Sequence, residues 1–174
     1  MIWNKSSIVL AFCLLLSQGC GIYSFSGISL PPKAKTFSLH FQSNVALGPT
    51  DLATRFQQRL SEELLQRTSL KQVHTEGDLQ LDGVIEKFDY IPATLTKSDK
   101  EDIENQAPMS RLMIEAQLNY VNLYDEASGF SKKTFSQYDN VDTDASSGFD
   151  ESGLIEAIFT KLVEDIFNET LANW

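Results

Sequence analysis

The sequence predicts an α+β domain, a two-layer sandwich in which two helices cover one face of a four-stranded mixed sheet. Two segments carry apolar residues at steps of three and four, the period of amphipathic helices. Four segments alternate apolar and polar residues, the period of half-buried strands. Their order along the chain is strand, helix, three strands, helix. The first two strands, joined by a helix, should be parallel with a right-handed crossover, and the later strands should form an antiparallel meander.

The first strand and the first helix lie in the first third of the predicted domain. The apolar positions of the strand are Phe37, Leu39 and Phe41. A turn at residues 48–51 follows, and Thr50 is the expected N-cap because its hydroxyl can accept from an unpaired first-turn amide. A helix is predicted from roughly residue 51 to residue 67. Its apolar stripe consists of Leu52, Phe56, Leu60 and Leu64.

The second strand is predicted from Leu79 to Tyr90. Its apolar residues change parity in the second half of the segment, so we expect a bulge near Gly83 or Lys87. The chain between residues 91 and 110 is rich in proline, lysine and acidic residues and shows little periodicity. It is therefore predicted to form a long mobile connection.

The third and fourth strands are predicted to form a hairpin. One face of the third strand carries Leu112, Ile114, Ala116, Leu118 and Tyr120. Residues 125–129 have hairpin chemistry, and Gly129 is available for a positive φ angle. Residues 130–138 form the returning strand, where Lys132 and Lys133 indicate an exposed edge whose charge discourages pairing with other chains.

The last helix has the strongest pattern in the chain, and it follows an acidic, Ser- and Gly-rich loop at residues 140–153. Its apolar residues fall on one face, with charged residues opposite. They are Leu154, Ile155, Ile158, Phe159, Leu162, Ile166, Phe167 and Leu171. Ile158 and Leu162 lie in the middle of this stripe, so we expect both to be buried against the sheet.

The first twenty residues have the three parts of a secretory signal. Lys5 supplies a short positive head, residues 8–16 form an uncharged apolar run, and the small residue Gly19 precedes Cys20. The apolar run is too short to cross a membrane, because a transmembrane helix needs about twenty residues. The segment is therefore predicted to be a cleavable signal peptide.

A cysteine directly after a small residue resembles the lipobox, the motif at which lipoprotein signal peptidase cuts before an acylated cysteine. The match is imperfect, because Ser17 and Gln18 hold places where the pattern prefers leucine and a small residue. The alternative is a chance or buried cysteine. Cleavage before Cys20 would also remove Cys13, which leaves no pair of cysteines for an internal disulfide.

A tether is predicted between the lipidated cysteine and the domain, because the consecutive Pro31 and Pro32 favour extended chain. The chain then divides into a lipoprotein signal peptide at 1–19, a lipidated N-terminal tether at 20–34 and an α/β domain at 35–174. The length of the chain after the signal peptide is sufficient for one domain with a hydrophobic core.

The charge balance bears on the partners. The chain has 24 acidic and 14 basic residues and a formal net charge of −10 at pH 7. Nucleic acid binding depends on Lys and Arg side chains that neutralise phosphates. Nucleic acid is therefore not an expected partner.

Catalytic and metal-binding motifs find little support. Beyond the signal the histidines are His40 and His74, and no nucleophile stands near either in a recognisable motif, so both are predicted to be surface residues. An acidic segment could suggest calcium, but it lacks the glycine and the closing glutamate of an EF-hand loop. Its acidic residues are Asp139, Asp142, Asp144, Asp150 and Glu151. We expect no enzymatic activity, no metal and no cofactor.

Three short segments carry a resemblance to a known family. They are Cys20 to Gly27 followed by Pro31-Pro32, then Gly77-Asp78-Leu79, and finally 163–168 with Ala172-Asn173-Trp174. These segments, in the same order of elements, resemble LptE, the family of lipopolysaccharide-assembly lipoproteins of Gram-negative outer membranes. The resemblance covers essentially the whole chain after the signal.

The resemblance implies a non-enzymatic role. LptE proteins sit inside the LptD β-barrel as a plug, help that barrel assemble and support passage of lipopolysaccharide to the outer leaflet. In some relatives a basic residue near the start of the third strand engages lipid A, and Arg111 is the closest counterpart here. The alternative for Arg111 is an ordinary strand-edge charge. The final loop, where relatives can carry another basic residue, is acidic here, which puts lipopolysaccharide binding by that loop in doubt.

The residue after the lipidated cysteine bears on localisation. Gly21 stands where an aspartate retains many lipoproteins at the inner membrane. The next residues also lack the acidic tract associated with surface export. We therefore expect the periplasmic face of the outer membrane.

The residues alone are also compatible with a different class of function. A generic periplasmic envelope binding module or a secretion-system pilot lipoprotein would need the same lipobox and the same α/β sandwich. A hydrolase with dispersed catalytic residues is a weaker third hypothesis. Co-purification of an LptD-type barrel, of a secretion ring or of neither separates the first two classes.

Overall fold

A computed structural model describes residues 30–92, 110–141 and 149–172. The elements are β1 (Thr36–Ser43), α1 (Leu52–Arg67), β2 (Lys71–Gln72), β3 (Leu79–Pro92), β4 (Ser110–Asn122), β5 (Phe130–Asn140) and α2 (Glu151–Leu171). Neither helix in these ranges combines the length and the apolar character that crossing a membrane requires. The predicted signal peptide, most of the predicted tether, most of the predicted connection after β3 and residues 142–148 lie outside the described ranges.

The five strands form one mixed sheet in the order β2-β1-β3-β4-β5. Strand β1 runs parallel to both β2 and β3, and β3, β4 and β5 pair antiparallel. The parallel pair joined through α1 and the antiparallel meander are therefore confirmed. The prediction of four strands was wrong, because β2 adds a fifth. This strand has two exposed residues, so it has no alternation to detect, and only its pairing with β1 defines it.

The predicted bulge is confirmed near Lys87. The β3–β4 register shifts between Ile85 and Lys87, which leaves one extra residue on β3. Because the extra residue reverses the parity of the strand, Phe88 takes the same face as Ile85 and is buried. The bulge thus keeps the second half of β3 in the core.

One core fills the space between the sheet and the two helices. Phe56 of α1 lies at its centre, with its ring centroid 5.0 Å from that of Phe41 on β1 and 5.1 Å from that of Phe159 on α2. Ile158 and Leu162 are fully buried, as their positions in the stripe predict. Because both helices contribute to the same apolar cluster, the opposite side of the sheet is left without a described helix.

Two predictions about turns were wrong. The N-cap of α1 is Asp51 rather than Thr50, and no side chain caps this helix. Gly129 has a φ angle of −71°, whereas the positive φ falls on Lys132 at 53°. Lys132 takes the positive φ because it lies in a bulge of the β4–β5 pair. There the side-chain oxygen of Asn119 accepts from the backbone amide of Lys132 at 2.8 Å. This side-chain bond holds a conformation that an L-residue rarely adopts.

Candidate functional site

The open face is the side of the sheet away from α1 and α2. Residues opposite one another in an antiparallel pair share a face, so the observed register fixes its membership. On the three longest strands it consists of Gln80, Asp82, Val84, Lys87, Asp89, Ile91, Arg111, Met113, Glu115, Gln117, Asn119, Val121, Thr134, Ser136, Tyr138 and Asn140. This surface is polar with a few apolar side chains, in contrast to the core face.

Arg111 lies on the open face at the start of β4. It is paired with Ile91 on one side and Asn140 on the other. The centre of its guanidinium group is 4.7 Å from the ring centroid of Tyr138, which is a cation–π arrangement. Within the described ranges, its buried Nε has no hydrogen-bond partner. The sequence predicted Arg111 at the start of the third strand. Because the structure adds the short strand β2, the strand that carries Arg111 is the fourth in chain order.

The arrangement at Arg111 suits a phosphate or carboxylate group. A guanidinium presents donors in a planar fork that matches such anions bidentately, and an aromatic ring on one face holds that plane in place. Tyr138 is 49% exposed, so its ring can be reached from solvent, and Arg111 beside it is half-buried. Sequence reasoning missed Tyr138, because only the β4–β5 register brings it beside Arg111.

Most of the other charged side chains on the open face form ion pairs. Lys87 Nζ lies 3.0 Å from Glu115 Oε2, and this hydrogen bond raises the pKa of Lys87. His40, exposed as predicted, has Nδ1 3.1 Å from Asp82 Oδ1. Among the described residues, no ion pair involves Arg111. Arg111 is therefore the basic side chain of this face that is best placed to bind an anion.

The remaining candidate residues do not join this site. Cys20 lies outside the described residues, as do Asp142 and Asp144. Two other acidic residues of this segment, Asp139 and Asp150, contact helix α2 instead. Asp139 accepts from Lys161 at 3.0 Å, a bond that lowers its pKa, and Asp150 caps α2 by accepting from the Gly153 amide at 2.9 Å.

The Gly77-Asp78-Leu79 segment has a structural role that the sequence pattern alone did not reveal. Asp78 Oδ2 accepts from the backbone amides of Lys35 and Thr36 at 2.8 and 3.0 Å and from the Thr36 hydroxyl at 2.9 Å. Its other carboxylate oxygen accepts from the Tyr124 hydroxyl at 3.2 Å. The Lys35 amide is the largest cause that lowers the pKa of Asp78, followed by the Thr36 hydroxyl. One carboxylate therefore ties the start of β1 to the turn after β4.

Gly77 permits this contact because it has no side chain. A Cβ at this position would lie 2.5 Å from the Ser38 nitrogen and 2.6 Å from the Phe37 carbonyl carbon. Both atoms belong to the backbone of β1, so neither can move without disturbing the sheet. The Gly77 amide in turn donates to the Ser38 hydroxyl at 3.3 Å. The glycine is needed for close approach of two backbone segments.

Comparisons with solved structures find similar chains at low sequence identity. A hypothetical protein from Chlamydia trachomatis matches with a TM-score of 0.50 and 10% identity, over 80% of this chain and 99% of that one. An uncharacterized lipoprotein B from Nitrosomonas europaea matches at 0.49 and 11%, over 85% and 87%. A minor lipoprotein from Acinetobacter baumannii matches at 0.46 and 13%, over 78% and 91%.

The sequence comparison identifies the family. No curated protein matches this chain in sequence. The sequence profile of LptE, described as lipopolysaccharide-assembly, matches residues 34–170. That range includes every described strand and all but the last residue of α2. The chain therefore belongs to the LptE family of lipopolysaccharide-assembly proteins.

Proposed function

We propose that this protein is an outer-membrane lipoprotein, anchored at Cys20 on the periplasmic face, that plugs an LptD-type β-barrel and helps it assemble. In this role it supports transport of lipopolysaccharide to the outer leaflet and catalyses no reaction. The observation that carries the proposal is the family match over residues 34–170. The lipobox-like Cys20 adds the membrane anchor.

The architecture is compatible with occupation of a barrel. The apolar stripes of both helices are used in the core, whereas the open face presents polar and charged side chains. The wall of a wide barrel lumen is polar as well. A polar sheet face can therefore pack against such a wall through hydrogen bonds and water, without exposing the hydrophobic core.

The Arg111–Tyr138 pair is the proposed contact for lipopolysaccharide. The overall charge of −10 repels an anionic lipid surface, so binding requires a local basic group. Arg111 supplies that group, and the phosphates of lipid A are anions of the kind that a guanidinium fork binds bidentately. The Tyr138 ring would restrict the orientation of the fork.

The first experiment is a pull-down with a C-terminally tagged full chain from detergent-solubilised membranes. We expect an LptD-type barrel to co-purify, and depletion of the protein to leave that barrel misassembled and the outer membrane permeable. Recovery of a secretion ring instead would favour a pilot lipoprotein. Normal barrel assembly and normal lipopolysaccharide export after depletion would exclude the plug function.

A further inference from the structure

One end of the domain combines exposed apolar side chains with exposed lysines. At this end β1 and β3 begin, β4 ends and the chain enters from the predicted tether. Leu123 and Tyr124, in the turn after β4, are 55% and 47% exposed. Lys33, Lys35 and Lys71 are also exposed, and within the described ranges none of the three forms an ion pair.

Hydrogen bonds hold Lys35, Lys71, Leu123 and Tyr124 together as one surface, and Lys33 lies two residues before Lys35. Asp78 accepts from the Lys35 amide and from the Tyr124 hydroxyl, and its own carbonyl accepts from the Leu123 amide at 3.0 Å. Lys71 is adjacent, because its amide donates to the Lys35 carbonyl at 2.9 Å. The five residues Lys33, Lys35, Lys71, Leu123 and Tyr124 are called here the anchor-end surface.

We propose that, before the domain enters the barrel, the anchor-end surface docks on the headgroup layer of an anionic phospholipid bilayer. Tyr and Leu suit the membrane interface, where an aromatic ring and its hydroxyl face different solvents. Lysines at such a surface are attracted by anionic headgroups. The second argument is the position of this surface close to the anchor. Ten residues lead from Cys20 to Leu30, and even a fully extended chain of that length spans at most roughly 35 Å, which keeps this end of the domain near the membrane. The inference thus rests on the proposed anchor at Cys20.

The acidic residues beside this surface limit how deeply it can enter the bilayer. Asp125 and Glu126 directly follow Tyr124 and are exposed, and burial of their carboxylates in hydrocarbon would be costly. The Tyr124 hydroxyl is also held by Asp78. Contact at the level of the headgroups is therefore favoured over insertion of the whole turn.

The opposite end of the sheet supplies a matched control. Leu47 is 75% exposed and follows the other end of β1. The eight residues of β1 separate the two ends by about 25 Å at roughly 3.3 Å per residue. A probe at Leu47 and a probe at Leu123 therefore report on opposite ends of one rigid sheet.

The test uses the full acylated protein in vesicles of phosphatidylethanolamine and phosphatidylglycerol. Nitroxide labels are placed on Leu123→Cys or Leu47→Cys, and their collision rates with oxygen and with a water-soluble nickel chelate are compared. We expect oxygen to dominate at position 123 and nickel at position 47. Adding Lys33→Glu and Lys71→Glu to the Leu123→Cys chain, with unchanged circular dichroism, should make position 123 accessible to nickel.

Equal nickel access at both positions in acylated protein would overturn the proposal. Labelled fatty acid shows separately whether the anchor at Cys20 exists, and the barrel pull-down separately tests the plug function. An acylated chain that recovers the barrel but leaves position 123 in water would therefore refute only the bilayer contact. A chain that takes up no fatty acid would refute the anchor and the bilayer contact with it.

Discussion

Thr36 and Asp78 bind each other in both directions across the parallel pair of β1 and β3. The Thr36 hydroxyl donates to the Asp78 carboxylate and accepts from the Asp78 amide, and the Thr36 amide donates to the same carboxylate. A slip of β1 by one residue would break all three bonds and turn Phe37 and Leu39 out of the core. The pair therefore fixes the register of the crossover.

Replacement of this carboxylate should weaken the fold. We expect Asp78→Asn to lower the free energy of unfolding by about 1–2 kcal/mol, because several hydrogen bonds to a charged acceptor are lost or weakened. Urea unfolding followed by circular dichroism measures the change. Asp82→Asn is the matched control, since Asp82 is exposed and pairs only with His40 among the described residues, and its effect should stay within about 0.5 kcal/mol.

The contribution of Asp78 should also depend on pH. Hydrogen bonds from the Lys35 amide and the Thr36 hydroxyl lower its pKa in the folded state, whereas an unfolded aspartate titrates near about 3.9. The stabilisation is therefore fully present above that value and is lost as the pH falls through the folded-state pKa. The stability difference between wild type and Asp78→Asn should be constant from about pH 7 to 5 and shrink in more acidic solution. A difference that grows on acidification would contradict this assignment.

Truncation of the α2 stripe tests the core. Leu162 is fully buried, so Leu162→Ala should cost about 2–5 kcal/mol in unfolding free energy, the range for large-to-small core changes. The same substitution at Leu65 on α1, which is 47% exposed, should cost less than about 1 kcal/mol. Urea titrations of the two variants give the comparison. Equal losses would mean that the packing face of α2 is misassigned.

Charge reversal at Arg111 tests the lipopolysaccharide contact. Arg111→Glu should weaken binding of fluorescent lipopolysaccharide about tenfold or more, because a charge-assisted hydrogen bond is replaced by repulsion. Arg111→Lys keeps the charge but loses the planar fork, so it should have an intermediate affinity with nearly unchanged stability. Lys132→Glu makes the same charge change at an exposed position on the other end of the sheet. If it weakens binding equally, the effect reflects net charge rather than a site at Arg111.

The anchor prediction concerns two cysteines. Cys20→Ala should abolish incorporation of labelled palmitate and leave an uncleaved or mislocalised precursor, because lipidation and the following cut both depend on that sulfur. Several acyl chains hold a protein firmly, since each buried methylene contributes roughly 0.8 kcal/mol. Cys13→Ala should label like wild type, as Cys13 lies within the predicted signal peptide. Loss of label in both variants, or in neither, would contradict the lipobox.

The sequence alone determined those helices and strands in which the spacing of apolar residues shows which side is buried. The steps of three and four in α2, the alternation in β4 and the parity change in β3 all follow from which side of an element faces the core. For the same reason a bulge could be expected near Gly83 or Lys87 from one strand, and the register with β4 places it beside Lys87. The short segments that resemble the LptE family also point to that family without any knowledge of contacts.

Only the tertiary structure decided the features that depend on distant pairing. Strand β2 has two residues and exists through its bonds to β1, and the roles of Asp78 and Tyr138 come from residues brought beside them by the sheet register. Lys132 takes its positive φ where the Asn119 side chain accepts from its amide. The physical reason is that local patterns record which face of an element is buried, whereas hydrogen-bond partners are set by topology and register.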